Sequence, residues 1–177
     1  MSRSLGNCIA DSLQLSLNYA DRLLKGIPAA RFARFAAVGA DGHRTVVESN
    51  HPAFVLGHLA LYCPRIVAQL GGSATPVPTR FDAVFSKEGK CVDDTAGTVY
   101  PPMDEVVEAF RRGCTEAIAA LRAAPDDLLQ RPNPAAGRMA ELFPTLGSIH
   151  GFYAGGHMMM HLGQVSAWRR MEGLGAA

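Results

Sequence analysis

Apolar positions recur every three to four residues in four stretches of the chain, the period of helices with one buried face. The first stretch predicts a helix from about Ser4 to Lys25. Leu5, Ile9, Leu13, Leu17, Ala20 and Leu24 form its stripe, and Gly26 and Pro28 stop it. The second follows Asn50, read as its N-cap, with Pro52 in the first turn. Val55, Leu59, Tyr62, Ile66 and Leu70 point inward, Pro64 is expected to kink the helix, and Gly71-Gly72 end it. The third runs from about Pro102 to Ala123, with Asp104 and Glu105 favouring its N-terminal dipole. Its inward positions are Met103, Val107, Phe110, Cys114, Ala117 and Leu121. The last extends from Thr145, a suitable N-cap, to about Glu172, with Gly173 just beyond its end.

The connections are long. Asp41-Gly42 marks a turn in the first, and Thr45-Val46-Val47 suits a short extended piece. A Pro- and Gly-rich segment spans 73–102. A loop of that length is either functional, as a lid or substrate-binding excursion, or a variable surface loop. Pro125 and Asp126-Asp127 break the chain before a short apolar turn at Leu128-Leu129. With no convincing strand pattern and no repeat, the chain reads as all-α: a single four-helix-bundle domain over residues 1–177.

Composition adds exclusions. The 177 residues are 48% hydrophobic and 19% charged, with a formal net charge of +1 spread along the chain. A nucleic-acid or anionic-membrane surface needs clustered charge, and none is present. The N-terminus lacks the apolar core of a signal peptide, and no stretch is long enough to span a bilayer. A cytoplasmic protein is therefore expected. Cys8, Cys63, Cys91 and Cys114 form no C-x-x-C pair and read as free thiols. Three of them fall in helices, as small packing residues.

The chemistry lies in histidines. His157 and His161 are four apart, one turn along the same helix face, the spacing with which two imidazoles grip one metal ion. A metalloprotease needs Glu after the first His, and Met158 stands there instead. A third ligand must come from a facing helix. His58, in Gly57-His58-Leu59 of the apolar second helix, is the best choice. Each signal has a plainer explanation, a satisfied core histidine or a chance pair, but their coincidence favours metal. Gly155 and Gly156 inside a helix imply either close approach of another helix or room for a ligand. Met158, Met159 and Met160 point three ways round a helix and cannot share an ion, so core or interface packing accounts for them.

Two segments resemble the DinB-like superfamily. Residues 50–72, NHPAFVLGHLALYCPRIVAQLGG, are similar to its second helix with the metal-binding G-H-L. Residues 157–173, HMMMHLGQVSAWRRMEG, are similar to its last helix with H-x-x-x-H-x-G-Q. The aromatic residue that often precedes G-H-L by two is replaced by Val55. The resemblance implies an up-down-down-up bundle, often a homodimer, and zinc or nickel held by His58, His157 and His161. It also implies, for some members, transfer or use of low-molecular-weight thiols, as in bacillithiol- and mycothiol-dependent enzymes.

Three neutral imidazoles leave a metal with an open position, as in catalytic sites. Water or a thiol could be activated there, and a thiol needs no protein base. On the histidine faces, Tyr153, His150 and Tyr62 are candidates to donate a hydrogen bond to substrate, and Gln164 to orient a ligand. Arg65, Arg169 and Arg170 are expected in solvent, although an arginine at the site mouth would suit an anionic substrate. The leading reading is a divalent-metal-dependent enzyme acting on a small molecule by thiol transfer or hydrolysis. The alternatives are a non-catalytic metal-binding or stress-response bundle, and a metal-free bundle with core histidines.

Overall fold

The computed structural model describes residues 4–39 and 43–177, so the Asp41-Gly42 turn lies outside the described residues. Helix α1 spans Leu5–Leu24. Ser4 caps it by accepting the Asn7 N–H at 3.2 Å, and Gly26, at φ 76°, follows its end. Its buried face is Ala10, Leu13, Leu17, Ala20 and Leu24, while Leu5 at its start is exposed. Helix α2 (Ala29–Phe32) leads into an antiparallel pair, β1 (Ala36–Val38) and β2 (Thr45–Val47), in the register Ala36↔Val47. The expected extended piece is thus one arm of a hairpin, whose other arm, Ala36-Ala37-Val38, carries too little β character to declare itself.

The second bundle helix is broken in two, α3 (Pro52–Ala60) and α4 (Cys63–Gln69). Pro64 has no N–H to give, and its ring clashes with the preceding turn. The break is bridged by short bonds from the Leu61 N–H to the His58 carbonyl and from the Tyr62 N–H to the Leu59 carbonyl, both 3.2 Å. The N-cap of α3 is His51 and not Asn50: the His51 Nδ1 accepts the Phe54 N–H at 3.2 Å. Asn50 bonds instead across the bundle, as described below.

The 73–102 connection contains a helix, α5 (Arg80–Phe85). Its anchors Phe81 and Phe85 are fully buried, their rings 5.0 Å apart, and Tyr100 stacks on Phe85 at 5.6 Å. Each such side chain contributes about 1.5–3 kcal/mol by leaving water. Asp94, also buried, accepts the N–H groups of Thr98, Val99 and Tyr100 and so folds the end of the segment on itself. His51 ties it to α3 by donating Nε2–H to the Val92 carbonyl at 3.0 Å.

Helix α6 (Met103–Ala123) is followed by α7 (Asp126–Leu129), α8 (Arg138–Leu142) and α9 (Leu146–Gly151). Thr145 caps α9 in a reciprocal box with Ser148. The chain then runs through a π-helical turn, Phe152–His157, into α10 (Met158–Met171). The last bundle helix is therefore not uniform. α1 packs against α6 on one side and the π-turn and α10 on the other, while α3 packs against both α6 and α10, closing a four-membered ring of helices around one apolar core.

The end of α10 holds the hairpin side. Trp168, fully buried, donates its indole N–H to the Arg34 carbonyl at 2.8 Å. Glu172 receives two Arg31 N–H bonds at 2.8 Å and the Ala37 N–H at 3.1 Å. Arg169 is not solvated: it is 5% exposed, donates to the Leu23 and Lys25 carbonyls, satisfying orphan groups where α1 ends, and donates to the Leu174 carbonyl beyond α10. No helix among the described residues is long and apolar enough to cross a membrane.

Candidate metal centre

α3 and the π-turn/α10 segment face each other, and each brings imidazoles to the contact. The His58 ring centroid is 5.4 Å from that of His157 and 4.8 Å from that of His161, and the last two are 4.7 Å apart. One ring nitrogen from each lies within 4.8 Å of the others, close enough for one ion to engage all three. Among the described residues no carboxylate or thiol joins this group.

The remaining nitrogens explain how the rings are aimed. The His58 Nδ1 is 2.8 Å from the Phe85 carbonyl. A carbonyl only accepts, so Nδ1 carries the proton and Nε2 keeps its lone pair for a ligand. The His161 Nδ1 is 3.0 Å from Gln164 Oε1, and Asn50 Nδ2 donates to the same oxygen at 3.1 Å. Gln164 thus bonds His161, and Asn50 in turn bonds Gln164. The third ring, His157, has a buried Nδ1 with no partner among the described residues. A buried imidazole nitrogen without a partner costs about 1–3 kcal/mol. A metal ion is the partner this donor set fits.

Electrostatics agree. Burial lowers the pKa of all three histidines. For His157 burial, and then the other two imidazoles, bring it down to about 3. For His58 and His161 the bonds to Phe85 and Gln164 work against that trend. Neutral imidazoles are the form that ligates a metal.

Two glycines shape the site. Gly57 has no Cβ, and one built there would meet the Phe85 ring at 2.5 Å. The glycine of G-H-L is what lets Phe85 lie on α3 with its carbonyl at His58. Gly155 sits against α1, where a Cβ would be 3.1 Å from Ser12 Oγ, so close helix approach accounts for it. At Gly156 a Cβ would make only ordinary contact with the Phe152 ring at 3.5 Å.

The π-turn widens the helix just before His157. Five residues of α-helix turn through about 140° beyond one revolution, so positions 152 and 157 would point apart. Here the Phe152 ring is 5.6 Å from His157 and the Tyr153 ring 5.8 Å. Tyr62, at the α3–α4 break, is 4.5 Å from His157, 5.1 Å from His58 and 4.9 Å from Tyr153. Tyr62 and Tyr153 therefore lie beside the three histidines. Burial raises both phenol pKa values, against an opposing effect of Arg65 on each. His150 does not join them. It is fully buried, makes no ring contact with the three histidines, and both its nitrogens lack partners among the described residues. Its helix, α9, packs on α1 and α7.

Phe85, Asn50 and the π-turn are parts of the site that sequence reasoning missed. Of the three consecutive methionines, Met158 is in the core while Met159 and Met160 are exposed.

The chain matches the model of the DinB superfamily over residues 12–165, and it belongs to that superfamily. No curated protein and no solved structure matches the chain.

Proposed function

We propose that this protein is a metal-dependent enzyme in which His58, His157 and His161 hold one zinc or nickel ion beside a small-molecule site, possessed in duplicate by a homodimer. The observation that supports the reading best is the aiming of the three imidazoles: two have Nδ1 fixed on oxygen acceptors, and the third has a buried nitrogen with no protein partner. When bound by three neutral ligands, such an ion keeps its charge and an open position, and lowers the pKa of a coordinated water or thiol.

The chain supplies the rest. Phe85 and Gln164 hold the Nδ1 protons of His58 and His161 and keep those rings in one orientation. Tyr62 and Tyr153 carry their phenol protons at neutral pH, as phenols ordinarily do, burial raises their pKa values further, and each can donate a hydrogen bond to a substrate oxygen. No Asp or Glu among the described residues is hydrogen-bonded or ion-paired to these histidines or tyrosines. A low-molecular-weight thiol, which needs no protein base once its proton goes to solvent, is the substrate that best suits a site without a carboxylate.

His58 and His157 are each only 7% exposed, which favours a second reading, a bundle that keeps a metal without turnover. Elemental analysis of untagged protein purified without chelator, beside His157→Ala, tests both. About one ion per chain in the parent and loss in the variant is expected. No metal even after reconstitution with zinc or nickel would defeat both readings. Bound metal whose spectrum ignores added thiols would leave the second.

A further inference from the structure

Arg65 lies in the first turn of α4, exposed, with its guanidinium carbon 5.0 Å from the centre of the Tyr62 ring. That ring is the one in contact with both His58 and His157. Resting on an aromatic face fixes a guanidinium while leaving its N–H fork free. Most arginines of the described residues are committed: Arg31 to Glu172, Arg34 to Asp93, Arg80 to Glu105, Arg111 to Asp21, and Arg169 to backbone carbonyls. Arg65 has no ion pair among the described residues, and no carboxylate joins the histidine cluster beside it. The site therefore has beside it a cation that no carboxylate among the described residues pairs with.

We propose that Arg65 is a specificity residue that selects small substrates carrying a carboxylate. The donor atom of such a substrate sits at the three histidines, and its carboxylate is taken bidentately by the guanidinium at the mouth. This rests on the metal reading above and narrows its substrate class. The guanidinium carbon is 5.0 Å from the centre of the Tyr62 ring, and that centre is 4.5 Å from the His157 ring, so a single aromatic ring relates the two groups. A planar fork matches a carboxylate in a way an ammonium does not, so the effect should depend on arginine and not only on charge.

The test uses cobalt(II)-loaded full-length protein, whose visible spectrum reports ligand exchange at the histidines independently of any activity. 3-Mercaptopropionate and 2-mercaptoethanol are titrated into the parent, Arg65→Ala and Arg65→Lys. In the parent the carboxylate-bearing thiol should gain about five- to tenfold over its neutral counterpart, relative to the same ratio in Arg65→Ala. Arg65→Lys should recover only part of that gain, and 0.5 M salt should shrink it. An unchanged affinity ratio in Arg65→Ala, with its cobalt spectrum intact, overturns the assignment of Arg65 and leaves the metal site standing. A parent that never develops a cobalt spectrum overturns the metal site, and the arginine proposal with it.

Discussion

A methyl group on Gly57 would stand 2.5 Å from the Phe85 ring, and Phe85 is the residue whose carbonyl lies 2.8 Å from His58 Nδ1. The ring cannot swing away, since Phe81, Tyr100 and Phe54 surround it. Gly57→Ala should therefore push α5 off α3 and free the His58 ring. We expect a loss of about 1–3 kcal/mol in stability from overpacking. Metal affinity should fall about 10- to 100-fold, as when an orienting partner is lost. Thermal melting and a competitive zinc titration measure the two. Full affinity at reduced stability would mean that the carbonyl does not orient the ligand.

Gln164→Leu removes the acceptor of the His161 Nδ1 proton and also strands Asn50 Nδ2. Metal affinity should drop by about one order of magnitude with the fold retained. Zinc titration beside circular dichroism checks this. Asn50→Ala, one bond further out, should give a smaller loss, and the reverse order would contradict the relay.

His150 is fully buried with both nitrogens unpartnered, and burial lowers its pKa to about 4. Unfolded, it titrates near 6.5. Between these values the unfolded chain holds more protons, so stability falls as pH drops from 6.5 toward 4 and is unaffected above that window. His150→Leu should be at least as stable at pH 7.5 and should escape on the order of 3 kcal/mol of the acid loss. His51, also brought down to about 4 by burial, will still titrate, so the slope shrinks without vanishing. Urea melts from pH 7.5 to 4.5 provide the comparison, and parallel curves for the two proteins would refute the assignment.

Thiol reactivity should follow burial. The Cys63 and Cys114 sulfurs are 3.6 Å apart and fully buried, and the Cys63 contact together with burial raises the Cys114 pKa well above its ordinary value. Burial pushes Cys91 up to about 11. Cys8 alone is exposed. At pH 8 an aromatic disulfide reagent should titrate one thiol promptly and the other three only on unfolding. A second fast thiol would show that the half-buried Cys91 is accessible despite its raised pKa, and three or more would show that the core opens on the timescale of the assay.

Much of this was readable in the sequence because the signals were local and periodic. α1 and α6 follow uninterrupted stripes, and the spacing of His157 and His161 survives because both sit at or after the end of the π-turn. His58 was legible as an imidazole with no polar neighbour in an apolar helix. What stayed hidden depends on distant partners. The carbonyl that meets His58 belongs to a residue 27 positions away, and a backbone acceptor leaves no mark in composition. The π-turn keeps an apolar pattern that a regular helix would also show, so the displacement of His150 from the site could not be foreseen. Arg169 looks like any surface arginine until the end of α1 offers it two carbonyls and Leu174 a third.

The Phe85 carbonyl, at the last residue of α5, is an end that its own short helix leaves open and that His58 fills. Order in the 73–102 segment and basicity of a ligand are thereby one coupled equilibrium, and coupling of this kind is reciprocal. Occupying the histidines should slow amide exchange throughout α5. Conversely, a molecule that settles on α5 alone, touching no imidazole, would retune how tightly the bundle grips its ion.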